Sequence, residues 1–128
     1  MNWWNCLIVG CGGFFGAAGR YLVSTWISRA VSHPFPFGTL AVNLLGAFLI
    51  GLFSELCSLR FPERERLLLF LTTGITGGFT TFSTFSLETL RLLEGGRYWL
   101  AGLNILLSLL CCLGGVALGR ALARACAG

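Results

Sequence analysis

Leu71-Thr72-Thr73-Gly74-Ile75-Thr76-Gly77-Gly78-Phe79-Thr80-Thr81-Phe82-Ser83-Thr84-Phe85-Ser86 forms the middle of the third of four apolar runs in this chain of 128 residues. Its three glycines and eight hydroxyl residues are poor material for a continuous helix. The natural reading is two half-helices with a break near Gly77-Gly78. Irregular backbone at membrane depth survives only where protein buries it or where it lines a cavity. A break also exposes carbonyls at the end of its first half and N–H groups at the start of its second. The carbonyls suit a hard cation and the N–H groups suit an anion. A glycine kink serving helix packing is the plainer alternative, and the surrounding Thr and Ser weigh against it.

The rest of the chain places this stretch in a bilayer. Hydrophobic residues make up 55% and charged residues 11%, against about 25% charge in an ordinary soluble domain. A chain this short could not hide so much apolar surface in one aqueous core. In lipid it is enough for four spans of roughly 20 residues each. The first run is Trp3 to Ile27, with Gly12 and Gly16 forming a close-approach pair. A loop of residues 28–37 leads to the second run, Thr39 to about Leu59. A charged loop, 60–66, precedes the third run, Leu67 to Leu93. The fourth run is Tyr98 to about Ala121, with a second such pair at Gly115 and Gly119. The expected fold is an all-α membrane protein, one transmembrane domain over residues 1–128, with the third helix broken near its middle.

Charge and cysteine usage exclude several classes. All nine basic residues are Arg and they sit between the apolar runs, so they read as membrane-edge anchors and not as a nucleic-acid patch. The six cysteines form no CxxC pair and the only His is His33, so they read as small packing residues, not a disulfide framework or a metal site. The start of the chain has no positive segment and reads as an interfacial anchor of Trp3 and Trp4, not a signal peptide. There is no Ser/His/Asp set, no paired carboxylates and no phosphate loop, so the expectation is a protein that is not an enzyme.

Orientation is close to a tie. Arg60, Arg64, Arg66, Arg120 and Arg124 fall on the side of the termini, and Arg20, Arg29, Arg91 and Arg97 on the other. Five against four gives almost no topological bias. Such a chain can insert both ways and pair antiparallel about an axis in the membrane plane.

Other polar residues are candidates for the same site. Phe82 and Phe85 are three apart and share a helix face, and an aromatic ring edge carries partial positive charge. Asn43 is an amide near the start of an apolar helix, so it either bonds a neighbouring helix or lines a pore. Thr39 lies one turn earlier on the same face. Arg20 could draw anions toward a vestibule or simply snorkel. Glu55 and Glu88 lie nearer the ends of their runs than the middle, where a proton-coupled carrier would need its carboxylate.

Three segments then carry a resemblance: Gly12-Gly13-Phe14-Phe15-Gly16-Ala17-Ala18-Gly19-Arg20-Tyr21, Phe37-Gly38-Thr39-Leu40-Ala41-Val42-Asn43-Leu44-Leu45-Gly46, and Gly74 through Glu88. In order and spacing the chain resembles the Fluc fluoride channels, the CrcB family, over essentially its whole length. The resemblance implies passive fluoride export across a bacterial inner membrane by a multi-pass, dual-topology homodimer with two antiparallel pores. It implies a central structural sodium ion held by main-chain carbonyls, here of Gly77 and Thr80. It implies pore-facing Phe82 and Phe85 and a pore Asn43, with Thr39, Ser83, Thr84 and Ser108 as further polar positions and Arg20 at the vestibule. The fourth helix is less distinctive, so Asn104 and Ser108 carry over least firmly. A small multidrug-resistance-type exchanger would need a carboxylate in the first span, which is absent. An assembly protein without transport is the other alternative.

Overall fold

The computed structural model describes residues 2–128. Among them, four helical segments are long and apolar enough to cross a bilayer. Helix α1 runs over Trp3–Ala30 and α2 over Phe37–Arg60. The third span is composite: α3 (Glu65–Leu69), a π-helical turn (Phe70–Thr76), α4 (Gly77–Phe79) and α5 (Phe82–Glu94). The fourth is α6, Tyr98–Ala127.

Local chemistry sets the ends. The Asn2 side chain accepts from the Trp4 N–H at 2.9 Å and starts α1. Pro34 and Pro36 cannot continue a helix, and between them Phe35 is buried, its N–H donating to His33 Nδ1 at 3.0 Å. Helices α1 and α6 have 28 and 30 residues. At 1.5 Å per residue each exceeds 40 Å, longer than a hydrocarbon core of about 30 Å. The helices run on to Ala30 and Ala127, past the expected limits of Ile27 and Ala121, long enough for their end turns to stand outside a layer of that thickness. The large exposed side chains of α1 and α6, such as Phe14 and Leu118, face where lipid would lie. Trp3, Trp4, Trp26, Tyr98 and Trp99 are exposed near the helix ends, as interfacial aromatics are.

Two glycine seams hold the bundle. Along the first, α1 lies directly on the backbone of the third span. A methyl group on Gly12 would stand 2.8 Å from the Phe70 carbonyl oxygen, and one on Gly16 would overlap the Ile75 carbonyl. From the other side, one on Gly78 would stand 2.7 Å from the Gly13 carbonyl oxygen. Along the second seam, Gly51 of α2 meets the Val116 carbonyl and Gly119 of α6 meets the Phe48 carbonyl. Helices in lipid gain no hydrophobic drive from meeting, so contact at this range supplies the packing that holds them.

The backbone leaves helical geometry at Thr80 (φ −83°, ψ 160°) and Thr81 (φ −150°, ψ 118°). This differs from the expected position. Gly77 and Gly78 are helical, and the extended residues follow three positions on. Gly78 is there because α1 passes too close for a side chain. Thr81 marks the departure because its hydroxyl accepts from the Thr84 N–H at 3.1 Å and caps α5.

Candidate functional site

The extended pair at Thr80–Thr81 organises the site, and two distant side chains complete its hydrogen bonds. Asn43 Nδ2 donates to the Thr81 carbonyl at 3.0 Å, and the Thr81 N–H donates to Asn43 Oδ1 at 2.7 Å. The amide thus supplies the acceptor that the Thr81 N–H loses on leaving the helix, and adds a donor to the Thr81 carbonyl, which as N-cap also serves the first turn of α5. Arg20 Nε donates to the Gly78 carbonyl at 3.1 Å. Asn43 bonds another helix, and its second amide proton is uncommitted by that pair. Arg20 reaches inward to the third span and does not merely extend to the membrane surface.

An open groove of about 410 Å³ runs along the outside of the bundle beside this pair. Its lining includes Asn43, Thr80, Phe82, Phe85 and Ser108, with Gly77 at its edge. The Phe82 and Phe85 rings lie 5.5 Å apart, tilted by 38°. Phe82 is 78% exposed, which is high for an aromatic beside polar groups in the middle of a span. No charged residue lines this groove.

A second cavity, of about 240 Å³, lies on the α1 side and is lined by Arg20, Ser24, Thr39, Thr81 and Thr84 among others. Thr39 Oγ1 donates to Glu88 Oε1. Glu88 in turn borders a polar pocket under the 31–36 loop. Glu55 is held elsewhere, by Arg124 Nε at 2.8 Å and Arg120 Nε at 3.2 Å, where α2 and α6 emerge on the side of the termini.

The candidates therefore fall into groups. Asn43, Phe82, Phe85, Ser108, Gly77 and Thr80 share the groove; Thr39, Thr84 and Arg20 share the second cavity. Ser83 lines neither: it is exposed, and its hydroxyl lies 3.2 Å from Thr81 Oγ1 in the cap of α5. Thr81 borders both spaces and was not among the candidates. The available signal was its place two residues before the Ser83-Thr84 pair, as a Thr followed three positions later by a helical N–H.

The resident cation that the resemblance implies can be tested against these residues. Among the described residues no cluster of three His, Cys, Asp or Glu could ligate a metal. Main-chain oxygens remain. Arg20 and Asn43 occupy the carbonyls of Gly78 and Thr81, and no side chain donates to those of Gly77 and Thr80 among the described residues. Both residues border the groove, so the donor set fits a hard cation. The cysteines are all free; Cys57 is buried as expected of a packing residue, while Cys6, Cys11 and Cys126 are exposed.

Four apolar spans with paired polar groups buried between them define a multi-pass membrane protein. The sequence profile described as "CrcB-like protein, Camphor Resistance (CrcB)" matches residues 7–120. The chain is 52% identical over 120 residues to the "Fluoride-specific ion channel FluC" of Ruminiclostridium cellulolyticum, covering 94% of this chain and 92% of that one. It is 47% identical over 120 residues to the protein of the same name from Agrobacterium fabrum, covering 94% and 96%. It is 50% identical over 113 residues to that of Elusimicrobium minutum, covering 88% and 87%. The chain belongs to the CrcB family.

Proposed function

We propose that this protein is a fluoride-selective channel that exports the ion passively across the bacterial inner membrane. It works as an antiparallel homodimer with two pores and a structural sodium ion between the subunits. The relatives named as fluoride-specific channels support the ion. The observation that carries the reading is the groove: Asn43, Ser108 and two ring edges converge on an uncharged, open face in the middle of the spans.

Fluoride is small and strongly hydrated, and moving an isolated ion into a low-dielectric medium costs tens of kcal/mol. A pore must replace its water with donors, yet bind loosely enough to release it. The groove offers the second Asn43 amide proton, the Ser108 hydroxyl and the edges of Phe82 and Phe85. The first turn of α5 adds the positive end of a helix dipole. No Arg stands in the groove to trap the anion. Chloride is larger and gains less from such donors, so a tight path favours fluoride. The cavity of Arg20, Thr39 and Thr84 serves as the approach from water, with the arginine attracting the anion.

A second copy accounts for the open face. Polar groups facing lipid cost free energy, so a partner laid over the groove stabilises it. The five-to-four arginine count allows that partner to be inverted. The third span then acts as two half-helices, and the Gly77 and Thr80 carbonyls of each subunit hold the sodium. That ion supplies positive charge opposite carbonyl dipoles that lack donors.

The test is ion efflux from liposomes holding the purified protein, read with fluoride and chloride electrodes. Rapid fluoride release with little chloride release is expected. Equal release of both anions, or none of either, refutes the assignment; fluoride release only against a proton gradient favours an exchanger instead.

A further inference from the structure

A polar cluster lies behind the groove between α5 and α6. Asn104 is 1% exposed, Thr89 7% and Ser108 9%. The bonds among them have a direction that can be worked out. Thr89 Oγ1 lies 2.7 Å from the Phe85 carbonyl, so its single proton goes there. Toward Asn104, 2.9 Å away, the Thr89 hydroxyl can then only accept. The nitrogen of the Asn104 amide must face it, which turns Oδ1 the other way, toward Ser108. An amide oxygen cannot donate. The Ser108 hydroxyl therefore gives its own proton to Asn104, across 3.4 Å. That separation is long against the usual 2.7–2.8 Å for O–H···O, so the bond is weak.

Ser108 also lines the groove. With its proton turned back to Asn104, it presents lone pairs to that space and not a donor. We propose that Asn104 is a positioning residue that holds the Ser108 proton away from the groove and yields it when an anion arrives. The exchange lowers the affinity that a permanently free donor would give, and so speeds release. This rests on the channel reading above. Asn104 itself touches no ion.

The experiment measures fluoride current against fluoride concentration in planar bilayers for the parent, Asn104→Leu, Ser108→Ala and the double variant. Leucine has nearly the same size but accepts no proton, and Thr89 keeps its bond to Phe85. The freed Ser108 donor should lower the half-saturating fluoride concentration by about two- to fivefold and reduce the maximal current, since the bond released is a weak neutral one of at most about 1 kcal/mol. In the Ser108→Ala background the same change at Asn104 should shift nothing. A purely structural role in α5–α6 packing would shift both backgrounds alike, and that result overturns the proposal, as does an unchanged half-saturation in Asn104→Leu. If Asn104→Leu does not fold, Asn104→Ala is read in the same way; failure of both to fold also overturns it. A parent that carries no fluoride current refutes the channel reading itself, a distinct outcome.

Discussion

Replacing Asn43 by alanine should destabilise the protein before any question of ion flow arises. The amide makes two bonds to Thr81, of 3.0 and 2.7 Å, one to its carbonyl and one from its N–H. Thr81 is 9% exposed, so water cannot easily take the place of the lost partner. Leaving a buried backbone group without a partner costs about 1–3 kcal/mol. Only the Thr81 N–H is left wholly unpaired, since its carbonyl keeps the first turn of α5, so the loss is about 1–3 kcal/mol, less whatever a water admitted through the groove restores. Asn43→Asp separates the terms. Its carboxylate still accepts from the Thr81 N–H but opposes the Thr81 carbonyl, oxygen against oxygen, so it too is destabilised. The assay is thermal unfolding in detergent, followed by loss of the folded peak on a sizing column, with liposome efflux run on the same preparations. Both variants should unfold at lower temperature and lose fluoride efflux. An Asn43→Ala protein as stable as the parent would refute the idea that this amide sustains the extended backbone, leaving it only a role toward the ion.

Gly78→Ala would place a methyl group 2.7 Å from the Gly13 carbonyl oxygen and should cost about 1–3 kcal/mol of stability, while Gly114→Ala, with nothing within 4 Å, should be neutral or stabilising by up to about 1 kcal/mol; thermal unfolding compares them. Phe82→Ile or Phe85→Ile keeps bulk and removes the polarised ring edge. Liposome efflux of fluoride should fall sharply with the protein still folded on a sizing column, and parent-like flux in both would remove the ring edges from the pathway. A single cysteine placed in the 94–97 loop of an otherwise cysteine-free protein should react with an impermeant reagent from outside in about half the copies, as near-equal arginine counts imply. Uniform labelling or uniform protection would contradict dual insertion. Thr80→Ala should preserve sodium-dependent thermal stability, because the ligand is a carbonyl and not the hydroxyl; a loss matching complete sodium removal would count against that ligand set.

The four spans were legible because each apolar run is long and the loops between them carry the charge. The residues of the groove were legible as types: an amide and two phenylalanines stand out in an apolar chain. Their partners were less so. In sequence the adjacent glycines Gly77 and Gly78 look the strongest place for a helix break. Gly78 in fact answers to α1, sixty-odd residues earlier, and nothing local in the third run records that. The extended residues are Thr80 and Thr81, and Thr81 is held by an amide 38 positions away. The π-helical turn at Phe70–Thr76 is invisible for a similar reason: Thr76 Oγ1 bonds the Leu71 carbonyl at 2.8 Å, five residues back, with an ordinary composition around it. Ser83 was placed with its neighbours by the resemblance, and one residue of helical rotation from Phe82 sets it outside the groove lining.

The pairing of Asn43 with Thr81 has a consequence for how the protein is made. Chains grow from their N-terminus, so α2 leaves the ribosome before the third span does. The third span is the least hydrophobic of the four and contains Thr81, whose N–H bonds outside its own span. When it reaches the membrane insertion machinery, the amide that will satisfy Thr81 has already been delivered on the preceding helix. Synthesis in the opposite order would present an unmatched backbone to lipid with no partner waiting. Residence of the first two helices beside the insertion site, until the third has left it, would keep that partner at hand while the Thr81 N–H meets lipid.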